Sequence, residues 1–340
     1  MQIEPQAFLC RAGSILKNKK VGTITKILLT ILFVLIVNRS IKHGQIAVLF
    51  GRLDPLFLAG AFLCGFVSLY LQMLRWAGVL KAQGFLCGKR VALKTLLWGN
   101  LLAFITPGRL GEFFRGFELD KSRRSASVIA VIIDRFFGLF ATILLGFAAA
   151  VFFVLSGRSL PLLFIIILTV SALSVPVIYF LMKSGFVNRS VRSKRVVTSL
   201  NLFVNDLIRM KWNSAIFLSI AAHLFLILQT ALLFRMFGGQ SLFSGSLAAS
   251  LAYALMIFLP FSIANIGVRE YTFGLFLGIS LNPIHSDYVS VVALGASTII
   301  LAMNIILPAM AGLTWALLIG ERPKEQKKVE PVEIKPEEYL

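Results

Sequence analysis

The most unusual part of this sequence is the stretch Asn100-Leu-Leu-Ala-Phe-Ile-Thr-Pro107-Gly108-Arg109-Leu110-Gly111-Glu112-Phe-Phe-Arg115. It places a proline and three charged residues inside a run that is otherwise apolar enough for a membrane. An ionisable side chain in hydrocarbon costs at least about 2.5 kcal/mol on insertion scales, so these charges must pair, reach water or bind a polar group. Proline also frees backbone groups that lipid cannot satisfy. The stretch therefore predicts a broken or re-entrant helix that faces a polar cavity.

The composition of the whole chain indicates which solvent surrounds it. The 340 residues are 58% hydrophobic and 14% charged, and the mean hydropathy is +0.86. Because soluble globular domains carry about 25% charged residues, we predict an all-α polytopic membrane protein. The cysteines are too few and too scattered for a disulfide framework or a metal site, and no cofactor is expected.

Apolar runs of about 20 residues predict where the chain crosses the membrane. The runs are 21–37, 54–80, 125–155, 160–182, 214–237 and 288–319. Two further runs, 92–117 and 245–279, are interrupted at Pro107 and Pro260. We therefore predict about six transmembrane helices plus two re-entrant or broken helical hairpins, and an inverted repeat stays open. Asn304 and Pro308 are expected to kink the last span.

Basic residues predict the orientation and the domain boundaries. Lys and Arg are concentrated in the N-terminal segment, in 81–94, in 121–124 and in 183–211. Since basic clusters flank the first broken run on both sides, the chain is expected to enter and leave on the same side. We predict a cytoplasmic segment 1–20, a transmembrane domain 21–320 and a disordered cytoplasmic tail 321–340, all in a cell (inner) membrane.

The net charge of +19 has two interpretations. Nucleic acid is one conceivable partner for so basic a chain, but the basic residues lie in juxtamembrane loops rather than in a soluble module. Positive-inside topology and attraction to anionic lipids explain the same charge. We therefore expect a membrane lipid as the partner and no nucleic acid.

The two interrupted runs share a composition that indicates anion binding. Each joins a proline and small residues to a glycine that lies within a few positions of an arginine and a glutamate. Half-helix N-termini at the bilayer midplane suit a phosphate. Arg109, Arg115 and Arg269 could clamp it, while Glu112 and Glu270 balance these arginines or contact a cationic headgroup. Alternatively, the arginines and glutamates only pair with one another and hold the hairpins together.

The candidate substrate-binding residues are a proline and charged or polar residues, which lie near the two interruptions and in the span that follows the first. They are Asn100, Pro107, Arg109, Glu112, Arg115, Asp134, Arg135, Ser262, Arg269 and Glu270. No catalytic residue and no metal ligand is assigned. Because Asp134 and Arg135 are adjacent and point to different helix faces, Asp134 is expected to pair elsewhere, and a proton-relay role for it stays open.

Aromatic and imidazole side chains receive simpler interpretations. Trp76, Trp98 and Trp212 are predicted to lie in an interfacial belt, with Arg75 at the membrane surface beside Trp76. His43, His223 and His285 have no second ligand at a metal-binding spacing, so packing or interface roles are expected. No phosphate-binding loop is present, so direct nucleotide energisation has no support.

A resemblance to a known family rests on specific runs of residues. These are Trp98-Gly-Asn100 through Pro107-Gly-Arg-Leu-Gly-Glu112-Phe-Phe-Arg115, then Asp134-Arg135, then Pro260-Phe-Ser262 through Gly267-Val-Arg269-Glu270, with Leu74-Arg75-Trp76 as a weaker third signature. Over about residues 20–320 the chain resembles the lysylphosphatidylglycerol synthase transmembrane-region family, also called the flippase-like domain family. The resemblance implies a polytopic domain that moves lipids between leaflets.

The sequence is compatible with two classes of function. In the preferred one, the chain is a lipid translocase that shields a phosphorylated or aminoacylated headgroup, on an anionic phospholipid or a polyprenyl-phosphate-linked lipid. In the other, it is a membrane enzyme or enzyme subunit of glycolipid, polyprenyl-phosphate or aminoacyl-phospholipid synthesis, with Glu112, Asp134 or Glu270 as a general base. The transferase chemistry of fused relatives is not expected here. A homo-oligomer and a separate synthase partner both stay open.

Overall fold

The structure is a computed structural model, and all the regular secondary structure in the part it describes is helical. It describes residues 51, 53–85, 88–106, 110–119, 124–162, 164–171, 173, 212–238, 241–259, 265–280 and 286–319. The α-helices are α1 Pro55–Ala82, α2 Lys89–Ile105, α3 Arg124–Leu155, α4 Trp212–Gly238, α5 Leu242–Ile257, α6 Val268–Ser280, α7 Ser286–Leu301 and α8 Leu307–Ile319. A 3-10 helix, Leu110–Glu118, lies between α2 and α3, and a π-helix, Ala302–Ile306, joins α7 to α8. Residues 164–171 are helical as well.

Four helical segments in the described ranges are long and apolar enough to cross a membrane. They are Pro55–Ala82, Ala126–Leu155, Asn213–Gly238 and the joined helices Val289–Trp315. They agree with four of the predicted spans. The predicted span 21–37 lies outside the described residues, and the span 160–182 is described only in part. The total number of crossings therefore stays a prediction.

The first interrupted run breaks where the sequence indicates. Helix α2 ends at Ile105, and Thr106 adopts an extended conformation with φ −109° and ψ 140°. The hydroxyl of Thr106 donates to the carbonyl of Leu102 at 2.9 Å and accepts from the backbone N–H of Gly111 at 2.6 Å. One threonine side chain thus ties the end of α2 to the start of the 3-10 helix across the break.

The 3-10 helix packs so closely on its neighbours that two positions require glycine. A Cβ atom on Gly111 would lie 2.1 Å from the carbonyl oxygen of Leu102 in α2. A Cβ atom on Gly116 would lie 2.9 Å from the carbonyl oxygen of Ser127 in α3. The 3-10 helix is therefore wedged between the backbones of α2 and α3, and this contact positions its charged side chains.

The second interrupted run also breaks near its proline. Helix α5 ends at Ile257, and helix α6 begins at Val268. Just before α6, Asn265 and Gly267 have positive φ values of 58° and 80°. These left-handed conformations turn the chain into the new helix. Both predicted breaks are thus present, whereas re-entry of either element from one membrane face stays a prediction.

The last span contains a π-helix at the point where Asn304 and Pro308 predict a kink. The ring of Pro308 cannot donate a backbone hydrogen bond and collides with the carbonyl four residues earlier, that of Asn304. The π-helix Ala302–Ile306 is at this point. The Asn304 amide donates to Gln229 Oε1 at 2.7 Å and accepts from Gln229 Nε2 at 3.2 Å. A polar bond between α4 and the π-helix therefore stabilises the distorted turn.

The helices pack around two apolar cores. Helices α1 and α4 form the most extensive helix pair of the described elements, and α3 packs against α5. The larger core is formed by helices α3, α4, α5, α6 and α7 and includes Phe153, Phe234 and Phe273. The smaller core joins α1, α2 and α3 around Trp76 and Phe137. Next to the smaller core, the 3-10 helix meets α1 and α3 with its charged residues.

Candidate functional site

The site is organised around Asp134 in the first half of α3. Its Oδ1 accepts a hydrogen bond from Arg75 Nε of α1 at 2.7 Å, and its Oδ2 accepts one from Arg115 Nη2 of the 3-10 helix at 2.5 Å. Asp134 and Arg115 are each 2% exposed, and Arg75 is 7% exposed. One buried carboxylate therefore binds two guanidinium groups that come from different elements.

Neighbouring side chains hold these two arginines in place. Nη1 of Arg75 donates to the hydroxyl of Ser219 in α4 at 3.1 Å. The guanidinium of Arg115 lies over the Trp76 ring, 4.1 Å from its centroid. Nε1 of Trp76 in turn donates to the hydroxyl of Thr95 in α2 at 2.9 Å. Arg75 is thus anchored to α4, and Arg115 is held by a cation–π contact.

A second ion pair extends this group of charges toward the surface. Arg135 forms a salt bridge with Glu112 of the 3-10 helix; the Arg135 side chain is 33% exposed and that of Glu112 is 7% exposed. We call Arg75, Glu112, Arg115, Asp134 and Arg135 the Asp134 cluster. Its five members, three arginines and two carboxylates, sum to a charge of +1. The cluster thus has a buried end at Asp134 and a more open end at Arg135.

The Asp134 cluster contains a hydrogen-bond donor that its own members do not use. Nε of Arg115 is buried and has no hydrogen-bond partner among the residues that the structure describes. An unpaired buried donor normally costs about 1–3 kcal/mol, and such groups are rare in native proteins. The cluster therefore joins three arginines to a buried donor that lacks a partner among the described residues.

A second polar cluster lies at the start of α6. Oε2 of Glu270 accepts the backbone N–H of Gly267 at 2.5 Å, and its Oε1 accepts the hydroxyl of Ser297 in α7 at 2.6 Å. Nη1 of Arg269, a residue only 4% exposed, donates to the Ser297 carbonyl at 3.3 Å. We call Gly267, Arg269, Glu270 and Ser297 the Glu270 cluster. Glu270 is the third residue of α6 and its carboxylate binds the N-cap N–H, as in a capping box.

Replacing Glu270 by alanine is expected to lower the free energy of unfolding by about 1–3 kcal/mol, because the buried hydroxyl of Ser297 and the N–H of Gly267 both lose their acceptor. Glu270→Gln keeps one acceptor oxygen and should cost less than Glu270→Ala. Unfolding of the detergent-solubilised protein by dodecyl sulfate measures the difference. Wild-type stability of Glu270→Ala would show that these hydrogen bonds do not stabilise α6.

The structure brings together some of the predicted site residues and separates others. Glu112, Arg115, Asp134 and Arg135 form one cluster, whereas Arg269 and Glu270 bond to α7 in another. Asn100, which is 9% exposed, follows Gly99 on α2. A Cβ atom added to Gly99 would lie 3.1 Å from the Arg115 side chain, so this part of α2 packs against Arg115. Three predicted residues, Pro107, Arg109 and Ser262, lie outside the described residues. Asp134 does pair away from Arg135, as their adjacency predicts.

Arg75 and Trp76 correct the sequence interpretation. The prediction that they lie at the membrane surface is wrong, because Trp76 is fully buried in the smaller core and Arg75 binds Asp134. Arg75 is thus a site residue that sequence reasoning missed. An arginine inside the apolar run 54–80 was the available signal, but its partner lies 59 positions away in the chain.

Neither the described histidine nor a group of potential metal ligands forms part of the Asp134 or Glu270 cluster in the described residues. His223 of α4 packs edge-on against Tyr253 with ring centroids 5.8 Å apart, in keeping with the predicted packing role. His43 and His285 lie outside the described residues. Within the part of the chain that the structure describes, no three His, Cys, Asp or Glu side chains come together as metal ligands.

The fold and the Asp134 cluster define a class: a helical membrane protein in which interrupted helices carry buried ion pairs. The sequence profile of the family described as Lysylphosphatidylglycerol synthase TM region matches residues 23–312 of the 340-residue chain. The protein therefore belongs to the lysylphosphatidylglycerol synthase transmembrane-region family. No curated protein and no solved structure gives a significant match.

Proposed function

We propose that the protein is a lipid translocase that moves a phosphorylated or aminoacylated lipid between the two leaflets. The observation that carries this proposal is the Asp134 cluster, which combines two buried arginines with a buried N–H of Arg115 that has no partner among the described residues. Such a group fits the negative headgroup of a lipid, while the acyl or prenyl chains stay among the apolar helix surfaces.

The two helix breaks support a binding element of two parts. The 3-10 helix supplies Glu112 and Arg115, and the start of α6 supplies Arg269 and Glu270. In transporters, paired discontinuous helices commonly line a site near the bilayer midplane. We propose that the two elements are re-entrant hairpins of an inverted repeat, and that the headgroup passes between them in a multi-pass cell membrane protein.

The state of the carboxylates favours translocation over catalysis. Both oxygens of Asp134 accept from arginines, and both oxygens of Glu270 accept from a backbone N–H and a hydroxyl. Glu112 is paired with Arg135. A general base must have an oxygen within hydrogen-bond reach of the substrate proton. All three candidate bases thus already bind other groups, whereas Arg115 also has a buried N–H without a partner among the described residues, and this supports a binding role for the arginine.

The proposal predicts that Arg115→Gln slows lipid movement at least about tenfold, because a charge-assisted bond to the headgroup is lost. The protein is reconstituted into vesicles with fluorescent phosphatidylglycerol, and dithionite reports how much label has moved to the outer leaflet. Arg158→Gln is the matched control, since Arg158 contacts the Phe153 ring away from the cluster. This control should move lipid at the wild-type rate.

Other outcomes separate the competing classes. If the folded wild-type protein moves neither phospholipids nor polyprenyl phosphates, translocation is the wrong function. A new lipid in the mass spectrum of cells that express the chain would favour the enzyme class instead. Equal slowing by Arg115→Gln and Arg158→Gln would mean that the Asp134 cluster does not hold the headgroup.

A further inference from the structure

Asp134 occupies the position in which an arginine-bound phosphate would be expected. Each of its oxygens faces a guanidinium, at 2.7 Å from Arg75 and 2.5 Å from Arg115. Carboxylates and phosphates share this geometry, since both present neighbouring oxygens to planar N–H donors. A lipid phosphate that enters the cluster therefore meets donors that the protein's own carboxylate already uses.

The elements that carry the three charges differ in how firmly they are held. Asp134 lies within α3, a helix of 32 residues. Arg75 lies within α1, which has 28 residues, and is also bonded to Ser219. Arg115 lies on a 3-10 helix of nine residues that follows a break in the chain. Arg75 has a second hydrogen bond, to Ser219, whereas the only hydrogen bond that the Arg115 side chain makes among the described residues is to Asp134. Arg115 is therefore the member that can change partner most easily.

We propose that Asp134 is a tethered counter-anion that competes with the lipid phosphate for Arg115. In the empty protein the carboxylate neutralises the arginines. When a headgroup binds, Arg115 turns its N–H groups to the phosphate while Arg75 stays on Asp134. After transport Asp134 takes Arg115 back and the phosphate is released. This inference rests on the proposed function and adds how the site releases its lipid.

The exchange avoids the main cost of a buried charge. An arginine left without a counter-charge in an apolar interior is strongly unfavourable, whereas an arginine that passes from one anion to another is never unpaired. The unused Nε of Arg115 gives the incoming phosphate a first bond before the bond to Asp134 breaks. Arg75 and Arg115 together carry two positive charges, which balance Asp134 and one phosphate charge while both anions are present.

The test measures anion binding by detergent-solubilised Asp134→Asn, in which the competing charge is gone. Dihexanoyl phosphatidylglycerol should bind at least about tenfold more tightly than to the wild-type protein, because the fraction of free Arg115 rises. It should also raise the melting temperature of the variant more than that of the wild type. Inorganic phosphate is a second probe, and uncharged dihexanoylglycerol is the control that should leave both proteins unchanged.

A double variant keeps the test decisive if Asp134→Asn does not fold. Arg75→Gln with Asp134→Asn removes one charge of each sign, so the net charge of the cluster is preserved and Arg115 is left free. This protein should show the same phosphatidylglycerol-dependent rise in melting temperature. Weaker or unchanged phosphatidylglycerol binding in the folded variants would overturn the proposal. A response to inorganic phosphate alone would overturn the lipid headgroup as the competing anion.

Failure of the exchange and failure of translocation give different results. If wild-type vesicles move lipid but Asp134→Asn binds phosphatidylglycerol no more tightly, the translocase stands and the exchange is wrong. If Asp134→Asn binds phosphatidylglycerol more tightly but wild-type vesicles move no lipid, the competition is real and the translocase is wrong.

Discussion

Replacing Asp134 by alanine is expected to lower the free energy of unfolding by about 3–5 kcal/mol, because two buried arginines lose their shared counter-charge. Arg75 would keep only the hydroxyl of Ser219, and Arg115 would keep only the Trp76 ring among the described contacts. Most of the protein should then be misfolded after extraction. Dodecyl sulfate unfolding and the monodisperse yield on size-exclusion chromatography measure the effect.

The matched control for this prediction is Asp54→Asn. Asp54 is an exposed carboxylate at the N-cap of α1, where its side chain accepts the N–H of Leu56 at 2.8 Å. Asparagine caps helices as well as aspartate does, so this variant should change stability by less than about 0.5 kcal/mol. If Asp134→Ala were no less stable than Asp54→Asn, the ion pairs of the Asp134 cluster would not hold α1, the 3-10 helix and α3 together.

Among glycine-to-alanine substitutions in the described part of the chain, Gly111→Ala is expected to lower the free energy of unfolding most. The new Cβ would lie 2.1 Å from the carbonyl oxygen and 2.2 Å from the carbonyl carbon of Leu102, so backbone must move. Overpacking typically costs 1–3 kcal/mol, and a clash with backbone should exceed about 3 kcal/mol. The 3-10 helix would leave α2 and carry Arg115 away from Asp134. We therefore expect loss of stability together with loss of lipid movement.

Gly78→Ala is the control that separates a clash from a general effect of alanine. Gly78 lies on α1, and nothing lies within 4 Å of the Cβ it would gain. Alanine in a helix interior is more favourable than glycine by roughly 0.5–1 kcal/mol, so this variant should be at least as stable as the wild type. Melting curves of the two variants give the comparison. A Gly111→Ala protein as stable as Gly78→Ala would rule out the close packing of the 3-10 helix on α2.

The sequence alone predicted the helical breaks well because their causes are local. Pro107 and Pro260 remove backbone donors and disfavour the helical conformation of the residue before them, whatever the rest of the fold does. Helices accordingly end at Ile105 and Ile257. The charged residues of the first break were identified in the same way, since charges in an apolar run are visible without a structure.

The identity of each charged partner was less accessible to sequence reasoning. Arg75 was assigned to the membrane surface because an arginine beside a tryptophan near the end of an apolar run is typical of an interface. Its actual position follows from α3 and α4, which cover it with Asp134 and Ser219. No property of the residues around Arg75 in the chain carries that information.

Hydropathy and proline positions thus predict the membrane class of this protein, four of its long spans and the two places where helices break, because both act over a few neighbouring residues. Which charges meet depends on how the helices pack. The carboxylate of Asp134 lies 19 positions from Arg115 and 59 from Arg75 in the chain. A buried ion pair needs both partners within bonding distance, and only the packing of α1, α3 and the 3-10 helix brings them there.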